Sequence, residues 1–145
     1  MSTASGWNWS GSIFNLLDPK QWGQGHLDWD GFNAWALENP DAFWGPSLRM
    51  MSEAGVRAVD LAMNGSGWQG ASRWAGGGAG FGRRLADHGL TISASYQSGH
   101  PVGDAIGDAD AERRIDEGVT AHARFVAEAG GDLMLVGSPL RRDVE

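Results

Sequence analysis

The stretch Phe81-Gly82-Arg83-Arg84-Leu85-Ala86-Asp87-His88-Gly89-Leu90-Thr91-Ile92-Ser93-Ala94-Ser95-Tyr96 decides the fold. Phe81, Leu85 and His88 fall at i, i+4 and i+7, one stripe of a helix. Gly89 stands where a left-handed residue ends it. Leu90 to Tyr96 then carries β-branched Thr91 and Ile92 and an aromatic end, over the length of a buried strand. Helix, glycine, strand is half of a βαβ unit, and the chain repeats it on either side. Leu48 to Gly55 leads into Ala58 to Met63, and Phe125 to Gly130 leads into Leu133 to Val136. Ser52-Glu53-Ala54-Gly55, Ala86-Asp87-His88-Gly89 and Glu128-Ala129-Gly130-Gly131 align as three copies of one joint. Parallel neighbours need a long crossover and hairpins do not, so the repetition argues for an α/β fold with parallel strands. Right-handed crossovers stack the helices on one side of a curving sheet or alternate them in a doubly wound one.

The chain has 145 residues, enough for one domain with a core of its own. Its formal charge is -7, and its 11 Lys and Arg are not clustered, which argues against nucleic acid as a partner. It contains no cysteine, which excludes disulfides, thiolate chemistry and cysteine-bound zinc. Met1 to Asp18 has no basic region and no apolar run of signal-peptide length, and no run anywhere suits a membrane span. The expectation is a soluble cytoplasmic protein without membrane contact. Two biases remain: 23 glycines, and 8 tryptophans that all lie between Trp7 and Trp74.

Taken in order, Trp7 to Leu17, centred on Ile13 and Phe14, reads as a first strand ended by Asp18-Pro19. Lys20 to Pro40 has little period and reads as a long loop with a short helix near Phe32 to Leu37. Asp41 to Glu53 is a helix capped by Asp41 or Asn39, with Pro46 in its first turn. The second strand, Arg57 to Met63, sets Val59, Leu61 and Met63 on a bulky face and Ala58, Asp60 and Ala62 on a small one. Asn64 to Gly80 reads as a second long loop, and Gln97 to Asp108 as a third. A helix from Asp110 to Ala129 carries Ile115, Val119, His122 and Val126 on one stripe, and Asp132 to Val136 is the fourth strand.

Several clusters carry chemistry or imitate it. Gly76 to Gly80, with Arg83 and Arg84 nearby, has the makings of a phosphate cradle, but it lacks the P-loop lysine and the dinucleotide spacing, so a flexible loop is the expectation. Asp104, Asp108, Asp110 and Glu112 lack calcium-loop spacing and suit helix capping. His88 and His122 lie on helical stripes and read as scaffold. His100 follows the end of a parallel strand, where α/β folds place their chemistry. Asp60, on the small-residue face, needs a partner if buried: a ligand, a cation, or a structural hydrogen bond to the neighbouring strand. Trp68, Trp74 and the earlier tryptophans suit sugar stacking or core packing.

The phrases Ala58-Val59-Asp60-Leu61, Leu85-Ala86-Asp87-His88-Gly89-Leu90-Thr91-Ile92-Ser93-Ala94 and Ala127-Glu128-Ala129-Gly130-Gly131-Asp132-Leu133-Met134-Leu135-Val136, with Trp68 in the loop after the first, resemble the sugar phosphate isomerase/epimerase group with a xylose isomerase-like TIM barrel. The resemblance runs from about Trp44 to Ser138 and consists of helix-glycine-strand joints. It implies parallel (β/α) units forming roughly the first half of a TIM barrel, since a full one takes about 250 residues and four strands are counted here. It further implies an enzyme that isomerises or epimerises sugars or sugar phosphates by proton transfer beside a carbonyl. A divalent metal (Mn, Mg, Co or Zn) would assist in the complete barrel, and the 145-residue chain alone is expected to be inactive and to bind no metal tightly. By position at or beyond strand ends, Asn15, Asp60, Asn64, Trp68, Tyr96, Gln97 and His100 become the candidate contacts to a sugar or polyol. Exposed sheet edges would favour a homo-oligomer. The alternative is a non-catalytic carbohydrate-binding or interaction module using tryptophan-rich loops.

Overall fold

In the computed structural model, residues 10–12, 19–61, 67–97 and 107–136 are described. Strand β1 (Ser10–Ser12) and a 3-10 turn (Pro19–Trp22) precede helices α1 (Trp29–Glu38) and α2 (Pro40–Glu53). Then come β2 (Ala58–Leu61), α3 (Trp68–Ala75), α4 (Gly78–Asp87), β3 (Thr91–Gln97), α5 (Ala109–Glu128) and β4 (Met134–Val136). The strands form one 4-stranded sheet in the order β1-β2-β3-β4, every pair parallel. Sequential order with crossovers of one hand lays the helices over a single face. The fold is therefore α/β, with an open sheet among the described residues.

The three joints are the same motif in backbone detail. Gly55, Gly89 and Gly130 have φ of 79°, 67° and 87°, conformations that residues with a Cβ rarely adopt. In each, the amide two residues beyond the C-cap bonds back to the carbonyl five residues earlier: Val56 N–H to Met51 O, Leu90 N–H to Leu85 O and Gly131 N–H to Val126 O, at 2.9 to 3.0 Å. This is the Schellman closure, which satisfies the last helical carbonyls and aims the chain into the sheet. Ser52 Oγ donates to His88 O at 2.7 Å and ties the first joint to the second.

The two long loops expected on either side of α2 and β2 are largely helix. Lys20 to Pro40 contains α1, longer than the short helix read there, and Asp28 caps it by accepting from Gly31 N–H at 2.8 Å. Asn64 to Gly80 contains α3 and the start of α4. The glycine run is a packing device rather than a flexible loop. A Cβ on Gly78 would lie 2.4 Å from Phe125 O and one on Gly80 1.9 Å from Ala75 O, so α4 lies closer to α5 and α3 than any side chain would allow. Pro46 also differs from expectation: it lies inside α2, beyond the first turn, where the helix forgoes one hydrogen bond. Asn39 precedes α2 without a side-chain cap; its amide instead donates to Trp35 O, closing α1. At α5 the acids do cap, Asp108 accepting from Asp110 and Ala111 N–H at 3.0 Å each.

The core lies between sheet and helices. Val59, Leu61, Leu90 and Ile92 line its sheet side, and Phe32, Phe43, Trp44, Leu48, Phe81, Leu85, Phe125 and Val126 its helix side. The rings touch in series: Trp22 to Phe43 at 5.1 Å, Phe43 to Trp44 at 5.3 Å, Trp44 to Phe81 at 5.4 Å and Phe81 to Phe125 at 5.7 Å. All tryptophans from Trp29 to Trp74 sit on helices; for Trp29, Trp68 and Trp74 this corrects an assignment to loops. Only Trp29 among the described tryptophans is exposed.

Candidate functional site

Strand alternation divides the chemistry between two faces. Val59 and Leu61 of β2 are buried against the helices, so Ala58 and Asp60 face the other way. β3 keeps step only by inserting a residue. Val59 pairs with Ile92, but Asp60 pairs with Ala94 and Leu61 with Ser95, leaving Ser93 as the extra residue of a bulge. Ser93 Oγ donates to Asp60 Oδ1 across the strands. Of the partners left open for Asp60, a ligand, a cation or a hydrogen bond to the neighbouring strand, the last is found. Tyr96, half-buried and opposite Leu135 of β4, follows Ser95 and therefore returns to the face of Asp60.

Ser95 faces the helices and is buried, its Oγ 2.5 Å from Nε2 of His122. The imidazole is fully buried, and Trp68, the first residue of α3, stacks on it at 4.8 Å with the rings 12° from parallel. Burial lowers the His122 pKa from 6.5 to about 4, so the ring is neutral at physiological pH. His122 is thus scaffold, as its stripe position indicates, but it is a hydrogen-bonded scaffold residue joining α5 to the sheet. The roles of Ser93 and Ser95 were missed in the sequence. The available signal was polar residues at strand positions where one face is buried, each of which must find a partner.

Of the candidate contacts, Asp60 and Tyr96 share the face away from the helices. Trp68 lies on the helix side with one ring face against His122. Gln97 ends β3, and its side chain lies outside the described residues, as do Asn15, Asn64 and His100. No group of three or more His, Asp or Glu side chains able to hold a metal occurs among the described residues. Asp60 is the carboxylate described on this face, and by itself it does not fit a divalent metal, which takes several oxygen or nitrogen ligands. An open recess lies over α3 and α4, lined by Ala75, Gly80, Arg83, Arg84, Ala86 and Asp87. There the Arg84 guanidinium covers the Trp74 ring at 4.1 Å, and Trp74 Nε1–H donates to Asp41 at 2.7 Å. The N-terminus of α4 that a phosphate would need is pressed against α5 at Gly78.

Among the described residues no helix is long and apolar enough to cross a membrane. Compared with known proteins, the chain matches no family model, no curated protein and no solved structure.

Proposed function

We propose that the chain forms half of a xylose isomerase-like barrel whose open face binds a sugar or sugar phosphate for isomerisation or epimerisation. One observation carries the reading: four sequential parallel strands present a carboxylate, Asp60, held by the Ser93 hydroxyl, on the face opposite the helices. In a closed barrel that face is the interior, and its C-terminal rim is where substrates bind. Asp60 is only half-buried on this face, and a carboxylate is a natural acceptor for a substrate hydroxyl. The Tyr96 ring offers an apolar wall to a sugar face. The exposed side chains of Leu133, Leu135 and Val136 mark β4 as a surface on which further sheet would pack, in the same chain or a second copy.

The reaction class moves a proton on the carbon beside a carbonyl, and here Asp60 binds and orients a hydroxyl next to that carbon. No step is assigned to a metal, because the described side chains do not assemble a site for one. The alternative of a tryptophan-based binding module has less support, since the described tryptophans other than Trp29 are packed on helices rather than displayed on loops.

The test is a titration of isotope-labelled protein with aldoses, ketoses and their phosphates. Amide signals of Asp60, Ser93 and Tyr96 should move together, and Asp60→Asn should weaken binding by about tenfold, the worth of one charge-assisted hydrogen bond. If no sugar or sugar phosphate perturbs these residues, the reading fails.

A further inference from the structure

A regular strand would not place these side chains as they are found. Ile92 and Ser95 are three residues apart, a spacing that period-two alternation sends to opposite faces, yet both are buried toward the helices. The extra residue at Ser93 makes up the difference, since the register steps from Val59↔Ile92 to Asp60↔Ala94. Without the bulge, Ser95 would turn onto the face of Asp60, and Tyr96 would turn into the helix layer. The bulge thus decides whether a hydroxymethyl or a phenol stands beside Asp60.

Bulges cost ladder hydrogen bonds, so something outside the strand pair must favour this phase. The contact that does so is Ser95 Oγ to His122 Nε2 at 2.5 Å, made in a buried setting where an unpaired hydroxyl or imidazole nitrogen is costly. His122 is in turn held by the stacked Trp68 ring and by its place on α5. We infer that His122 is a positioning residue for the candidate site: by bonding Ser95 it fixes the phase of β3 and places Tyr96 on the face of Asp60. The inference deepens the sugar-site reading and rests on it for its functional meaning, but the geometry can be tested without any sugar.

Tyr96 is the only tyrosine in the chain, so fluorotyrosine labelling gives one fluorine signal that reports this ring alone. The full chain is compared with Ser95→Ala, His122→Ala, His122→Gln and, as a destabilised control, Leu85→Ala. The signal's solvent isotope shift measures contact with water. Ser95→Ala and His122→Ala are expected to give a moved or doubled Tyr96 signal with a reduced isotope shift, as the ring turns inward. His122→Gln, whose amide can still bond Ser95, restores the original signal, and Leu85→Ala leaves it in place. If His122→Ala does not fold, Ser95→Ala, which removes a single oxygen, decides the question. One unmoved Tyr96 signal in folded Ser95→Ala would overturn the inference and leave His122 a stability residue only. Absence of sugar binding to the parent chain, with the fluorine pattern as expected, would instead sink the sugar reading and leave the positioning intact.

Discussion

Lowering the pH should weaken the fold through His122 in a defined window. In the unfolded chain this imidazole takes a proton near pH 6.5, whereas in the folded chain burial holds it off until about pH 4. The unfolded state therefore binds more protons between those values. The stability contribution is complete above the unfolded pKa, declines as pH falls through the window, and is gone below the folded pKa. A drop from 6.5 to about 4 corresponds to about 3 kcal/mol, a large part of the total for a domain with about 5 to 15 kcal/mol to lose. The named neighbours of the ring, Ser95 and Trp68, do not ionise in this window. The informative comparison is urea unfolding of parent and His122→Gln at steps from neutral to about pH 4.5, with the stability difference plotted against pH. That difference should shrink by about 2 to 3 kcal/mol across the window, because only the parent carries the titrating ring. Parallel curves, or an imidazole that titrates near its ordinary value by proton resonance, would refute the argument.

Gly78→Ala should destabilise by about 1 to 3 kcal/mol, read as a lower urea midpoint, because its Cβ would meet Phe125 O at 2.4 Å. Pro46→Ala should raise the melting temperature: restoring an amide inside α2 is worth up to about 3 kcal/mol, less what the stiffer unfolded chain contributed. Trp68→Ala should cost about 3 kcal/mol or more, because the ring packs on both His122 and Phe125, and the same variant should let His122 titrate closer to 6.5 in an NMR titration.

The joints were legible because a Schellman closure is local. Gly55, Gly89 and Gly130 can be recognised from a few neighbouring residues, and with them come the strands and their parallel sense. The stretches misread as loops, Lys20 to Pro40 and Asn64 to Gly80, have compositions that discourage a helical reading, with glycines and tryptophans breaking the apolar period. In the fold Gly78 and Gly80 are where α4 meets α5 and α3, and Trp35 and Trp74 pack on the rings of neighbouring residues, so tertiary packing overrides propensity. Asp60 could be placed on its face from alternation, and Tyr96 could be placed at a strand end but not on its face. The bulge could not, since whether Ser93 is an extra residue depends on which residue of β2 stands opposite, and that information is not in the strand itself.

The series of rings across the helix layer gives the site its footing. Contacts pass from Trp22 and Phe43 through Trp44 and Phe81 to Phe125, then to Trp68 and His122, and His122 passes them to the sheet at Ser95. A close-packed layer of this kind has few alternative arrangements, so the position of His122 is set by residues from every helix between α2 and α5. The strand end that carries Tyr96 inherits that definition through one hydrogen bond, and Asp60 inherits it through Ser93. A face built of small side chains, such as Ala58 and Ala94, has little packing of its own with which to hold a polar group in place. Its geometry must therefore be imposed from the opposite side of the sheet, and a polar pair in the core, His122 with Ser95, is the physical means by which it can be.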